Sequence, residues 1–195
     1  MEELARELTG EGARRITVVG AMRDVGASMT AIALARRLAQ QSRVVLVDLA
    51  LGAPGLSIIA ADPATPGIAE LVAGTASFGQ VITRDLHSRV HLIMAGREPL
   101  DAAAIMGSQR LSITIEALGR SYDHVVIDAG ALGEATIERL AQLAPRAVLV
   151  ATEVDDPTTA SARERLLQSG FANVSVLAGV ARTGDVGTGD TQAAA

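Results

Sequence analysis

The chain of 195 residues is 49% hydrophobic and 20% charged, carries a net charge of −5, and contains neither cysteine nor lysine, all 17 of its basic residues being arginine. That composition excludes a disulfide framework, a thiolate nucleophile and cysteine-ligated zinc, and also a Schiff base and the lysine of an ordinary phosphate-binding loop. The mild acidity argues against a nucleic-acid binder, which needs a concentrated basic surface, and no apolar run reaches the ~18 residues of a membrane span.

Residues 1–13 mix charges of both signs without a signal-peptide core, so they read as a short helix and linker on a soluble, cytoplasmic chain. A β-branched run at 16–19 then ends at Gly20, and a helical pattern at 29–39 gathers Ile32, Ala35 and Leu38 with Arg36 and Arg37 outward. The run at 44–47 ends at Asp48, and two short helices are predicted at 68–73 and 78–83. Further apolar runs at 90–94, 125–127, 147–150 and 174–177 alternate with helical patterns at 108–118, 135–143 and 158–167, the last announced by Pro157. Short uninterrupted runs suit strands buried on both faces. The alternation predicts an α/β fold: a doubly wound, mainly parallel sheet with helices on both faces, spanning residues 14–181. Residues 182–195 are too polar to pack and read as a disordered tail.

Ligands of such sheets bind beyond the carboxyl ends of the strands, and three features fall there. The first is the turn Gly20-Ala21-Met22-Arg23-Asp24-Val25-Gly26-Ala27-Ser28, running from strand into helix, where backbone N–H groups and the helix dipole form an anion site. The second and third are Asp48 and Asp128, carboxylates able to hold Mg²⁺ directly or through water. A dinucleotide fingerprint fails, because it needs glycine at Met22 and Val25. A P-loop keeps its second glycine (Gly26) and its hydroxyl (Ser28), while Ala21 and Ala27 replace its first glycine and its lysine. Plainer roles compete. Ser28 reads equally as a helix N-cap, and both aspartates as strand terminators that cap the next turn. His87 and His91 straddle a strand entry, where a spacing of four does not align them for a metal. His124 reads as structural, Asp155-Asp156-Pro157-Thr158 as a helix start, and Arg163 and Arg165 as an outward face.

Over residues 15–181 the segments VVLVDLALGAPGLS (44–57), PGIAELVAGTASFGQVI (66–82), VHLIMAGREPLDAAAI (90–105) and YDHVVIDAG (122–130) resemble the cytoplasmic kinase domain of bacterial tyrosine kinases of exopolysaccharide synthesis and export. That group lies within the deviant Walker-type P-loop ATPases. The resemblance implies a P-loop NTPase-like fold, a vestigial phosphate loop at Gly20, Arg23, Gly26, Ala27 and Ser28, and vestigial magnesium positions at Asp48 and Asp128. Departures are systematic: Ala27 and Met22 stand at the two lysine positions, Ala50 at a second aspartate, and Ala129-Gly130-Ala131 at prolines. Tyr122 is the sole tyrosine, so no tyrosine-rich tail is present, and the N-terminal Glu3 and Arg6 are followed by Thr9 where the oligomerisation helix has a third charge. The implied protein has no catalytic residue. It regulates or scaffolds polysaccharide export at the inner face of the membrane, through or fused to a chain-length or export protein, as a homo-oligomer without nucleic acid. It holds either no cofactor or ATP/ADP with Mg²⁺. The alternatives are a nucleotide-binding switch, or a slow ATPase or autokinase in which Arg23 stands in for a lysine.

Overall fold

Alternating side chains of the apolar runs serve two cores at once, one on each face of a single sheet. Val45, Val47, Val125, Ile127, Ala147 and Leu149 point to one face; Val44, Leu46, Val126, Val148 and Val150 point to the other. This period of two is the pleat of a strand, and burial of both faces explains why the runs lack polar residues. The protein is described by a computed structural model covering residues 1–10, 14–97, 101–133 and 137–179.

The described residues form a seven-stranded sheet in the order β3-β4-β2-β5-β1-β6-β7. Its strands are β1 (Arg15–Gly20), β2 (Val44–Asp48), β3 (Thr83–Arg84), β4 (His91–Ile93), β5 (His124–Ala131), β6 (Arg146–Ala151) and β7 (Asn173–Ala178). Every pairing is parallel except the edge pair β3–β4. Helices α1 (Glu2–Gly10) and α2 (Ala27–Leu38) cover one face through Leu4, Leu8, Ile32 and Leu34. On the other face lie α3 (Ile68–Ala73), α4 (Phe78–Val81), α5 (Ala102–Gly107), α6 (Gln109–Ser121), α7 (Ile137–Leu143) and α8 (Pro157–Gln168), with Ile68, Ile115, Leu118, Leu140 and Leu166 buried. The doubly wound α/β architecture expected from the sequence is therefore present.

Local departures have local causes. Thr83 ends not the second short helix but begins β3, where its buried side chain pairs in register with Leu92. The helix α5 is an addition, started by Asp101, whose side chain accepts from the Ala104 N–H at 2.9 Å. Arg36 does not point outward: its Nε and Nη2 donate to Asp85 at 2.8 and 2.7 Å, because Asp85 is buried behind α2 and needs a cation. Arg37 of α2 pairs with Glu2 of α1 at 2.7 Å, and Glu7 with Arg146 of β6 at 2.8 Å, so charge as well as Leu4 and Leu8 fixes α1 to α2 and to the sheet. The predicted tail 182–195, and the predicted helix start at 135–136, lie outside the described residues.

Candidate phosphate-loop and carboxylate site

Strands β2, β5 and β1 are neighbours, so their carboxyl ends bring the loop 20–28, Asp48 and Asp128 to one sheet edge. The loop lies close against that edge. Ala21 N–H donates to the Val150 carbonyl at 2.7 Å, and the Gly20 carbonyl accepts from Leu132 N–H at 2.8 Å. Val25 turns its side chain into the α2-side core. Its carbonyl oxygen comes so near the strand-end residue Gly179 that a Cβ there would sit 1.9 Å from it. Gly26 takes φ +83°, a left-handed conformation that side chains rarely adopt, and this turns the chain into α2.

The helix consequently starts at Ala27, two residues earlier than the pattern predicts. Gly26 is its N-cap and no side chain caps it. Ser28 is thus inside the first turn, which corrects its reading as a cap. Arg23 and Met22 are exposed on the loop, and Ala27 is buried at the place of the P-loop lysine.

Asp48 and Asp128 are paired in register and both are buried. Asp48 Oδ1 accepts from Ala50 N–H at 3.0 Å, and its Oδ2 accepts from Gly55 and Leu56 N–H at 3.2 and 3.3 Å. Asp128 Oδ1 accepts from Gly130 N–H at 3.1 Å. Asp48 therefore shapes the turn that follows it, with Ala50 contributing its N–H where a second carboxylate would stand, whereas Asp128 holds Gly130 within β5, where the pairing with β1 shifts register. Burial, and then the neighbouring Asp128 charge, push the Asp48 carboxyl up to about 7 against its three backbone donors. Two facing carboxylates in a dry setting suit a divalent cation, which prefers oxygen ligands. In the loop, Met22 and Ala27 stand where a P-loop of this kind would carry lysines. Among the described residues, no group of three histidine or acidic side chains could hold a metal ion.

Other expected positions resolve simply. Asp156 caps α8, accepting from Thr158 N–H at 2.8 Å, as the helix-start reading expects. His124 is buried at the entry to β5, and Arg163 Nε donates to the Val174 carbonyl at 3.2 Å. His91 faces Tyr122 at the opposite, amino end of the sheet, with Nδ1 and Oη 2.7 Å apart. Sequence reading missed Glu70, whose carboxylate accepts from Gly67 N–H at 2.7 Å and Arg97 N–H at 3.0 Å, tying the start of α3 to the loop after β4. Its spacing three after Gly67 is a capping-box signal.

No protein-family model matches the chain. Curated relatives do, among them the tyrosine-protein kinase ptk of Acinetobacter johnsonii, 30% identical over 114 residues, and the succinoglycan biosynthesis transport protein ExoP of Rhizobium meliloti, 28% identical over 129 residues. The matches cover 58% and 64% of this chain and 16% of each relative. Among solved structures, the VpsO kinase domain superposes with a TM-score of 0.79 at 21% identity, covering 90% of this chain and 91% of that one. The chain is similar to bacterial tyrosine-kinase domains. A ParA-family ATPase from Chlorobium tepidum shares the fold more distantly, with a TM-score of 0.67 at 17% identity over 88% of this chain and 75% of that one. The tyrosine-kinase-like chain thus has the P-loop ATPase fold, and it spans about a sixth of the length of the two curated relatives. Among the described residues, no helix is long and apolar enough to cross a membrane.

Proposed function

We propose that the chain is a catalytically degenerate kinase-like domain that regulates or scaffolds exopolysaccharide synthesis and export. The observation that carries this reading is the phosphate loop itself: Ala27 replaces the charge-bearing lysine, and Val25 anchors the loop in the core. Phosphoryl transfer depends on positioned charge, and each lost charge contact to the transferring group removes several kcal/mol of stabilisation. Met22, which stands at the second loop-lysine position, does not offset that loss. The relatives named as a tyrosine kinase and a succinoglycan transport protein support the pathway. The partner is then a membrane chain-length or export protein, separate or fused, with the domain at the inner face of the membrane and self-associating there.

Two measurements test the proposal. Deleting the domain in its host should change the length or yield of the exported polymer; an unchanged polymer overturns the scaffold. Purified protein should release no phosphate from Mg²⁺-ATP above the Asp48→Ala variant; a magnesium-dependent rate abolished by that substitution overturns the degeneracy.

The buried pair Asp48 and Asp128 favours a second reading, a switch that binds Mg²⁺-nucleotide without turnover. It expects saturable thermal stabilisation, about 2.7 kcal/mol at 100 times the dissociation constant, and a nucleotide-dependent oligomeric state.

A further inference from the structure

At the amino end of the sheet, a strand's length from Asp48, a cleft of about 330 Å³ opens between the turn after α2, the entry to β4 and the residues preceding β5. Five successive β2 residues separate the two ends, about 13 Å at the rise of a strand. This volume lies at the lower end of the range for small-ligand sites, roughly 300–1,000 Å³. Its wall carries Ser42, Arg43, Arg89, His91, Tyr122 and Asp123.

The charges in this wall do not balance. Asp123 is fully engaged by Arg43, accepting from its backbone N–H at 2.8 Å and from Nε and Nη2 at 3.3 and 3.1 Å. Arg89 makes no ion pair among the described residues. In the cleft wall two guanidinium groups, Arg43 and Arg89, face one carboxylate, Asp123, in a chain whose net charge is −5. Below them, His91 and Tyr122 are joined through Nδ1 and Oη, with their rings edge-to-face at 78°. That pair is half-buried, so its polar atoms and ring edges form a fixed, partly dry floor rather than a solvated surface. The arrangement combines convergent polar groups, an aromatic wall and uncompensated positive charge, which together suit a compact anion.

We infer that this cleft binds a small organic anion, a phosphate monoester or a carboxylate, with Arg89 as its principal charge contact and the Tyr122–His91 pair as its floor. The site is independent of the phosphate loop and stands whether or not the loop takes nucleotide.

The chain supplies its own reporter, because Tyr122 is its sole tyrosine and it has no tryptophan. Tyrosine emission is followed while glycerol 2-phosphate, inorganic phosphate, malonate or sodium chloride is added at matched ionic strength, with EDTA present. A saturable change with the phosphate probes assigns a phosphate site, and one with malonate alone assigns a carboxylate site. In either case Arg89→Gln, an exposed substitution checked for folding by circular dichroism, should weaken the response at least fivefold. Responses no different from sodium chloride, or unaltered by Arg89→Gln, overturn the inference.

Discussion

Asp48, at the carboxyl end of β2, stands opposite Asp128 of the adjacent parallel strand β5, both buried, with Asp48 shared among three backbone donors. The same pair that would hold a cation therefore also carries an electrostatic load when no cation is present.

That load sets a pH dependence. The folded-state pKa of Asp48, about 7, lies above its value of 3.8 in an unfolded chain. Between these values the native state keeps a proton that the unfolded state has lost, so stability falls as pH rises and levels off above about 7. The slope is at most ~1.4 kcal/mol per pH unit. His91, whose pKa burial lowers, acts in the opposite direction, raising stability as pH climbs toward 6.5. Its contribution is common to wild type and Asp48→Asn and cancels in their difference. Urea unfolding from pH 5 to 8 should show the wild type losing stability relative to Asp48→Asn; parallel curves would refute the burial argument.

The ion pair of Arg36 with Asp85 should respond asymmetrically to substitution. The Asp85 side chain is 0% exposed and the Arg36 side chain 33% exposed. Arg36→Ala strands a buried carboxylate with no cation, leaving it the Ser88 hydroxyl, which donates to it at 2.5 Å, and the His87 backbone N–H, and should cost about 3 kcal/mol. Asp85→Ala leaves a guanidinium that can swing to water and should cost less. Burial opposes ionisation of Asp85, but Arg36 and Ser88 outweigh it and hold its pKa below the ordinary range. Without Arg36 that carboxyl protonates more readily, so the excess cost of Arg36→Ala should shrink between pH 7 and pH 4. Equal costs at both pH values would mean that packing, not charge, carries the contact.

What the sequence makes legible follows from which interactions are periodic. The apolar runs register as strands because burial on both faces removes polar residues from them, and Asp48 falls at the end of β2 where the chain order alone locates it, whereas β5 runs past Asp128 to Ala131. Edge strand β3 is two residues long, and no period exists in two residues, so Thr83 reads as the end of a helix. The partnership of Arg36 and Asp85 spans 49 positions and leaves no local trace. In the loop, glycine spacing announces a phosphate cradle, but nothing in that spacing reveals that Val25 packs into the α2-side core or that its carbonyl rests on Gly179. That contact depends on a strand more than 150 residues away.

Gly179 makes the last prediction. A methyl group there would meet the Val25 carbonyl oxygen at 1.9 Å and the Val150 Cγ1 at 2.8 Å. The obstruction is backbone, which cannot rotate aside, so Gly179→Ala must push the loop 20–28 off the end of β7. The expected loss is about 1–3 kcal/mol, the range for overpacking a filled site. Gly79 in α4 has nothing within 4 Å of its would-be methyl group, and Gly79→Ala should instead stabilise by about 0.4–1 kcal/mol by restricting the unfolded chain. Thermal unfolding of the two variants therefore gives opposite signs if the loop is seated on the sheet. A neutral Gly179→Ala would show that the loop yields freely, and the role of Val25 as its anchor would fall with it.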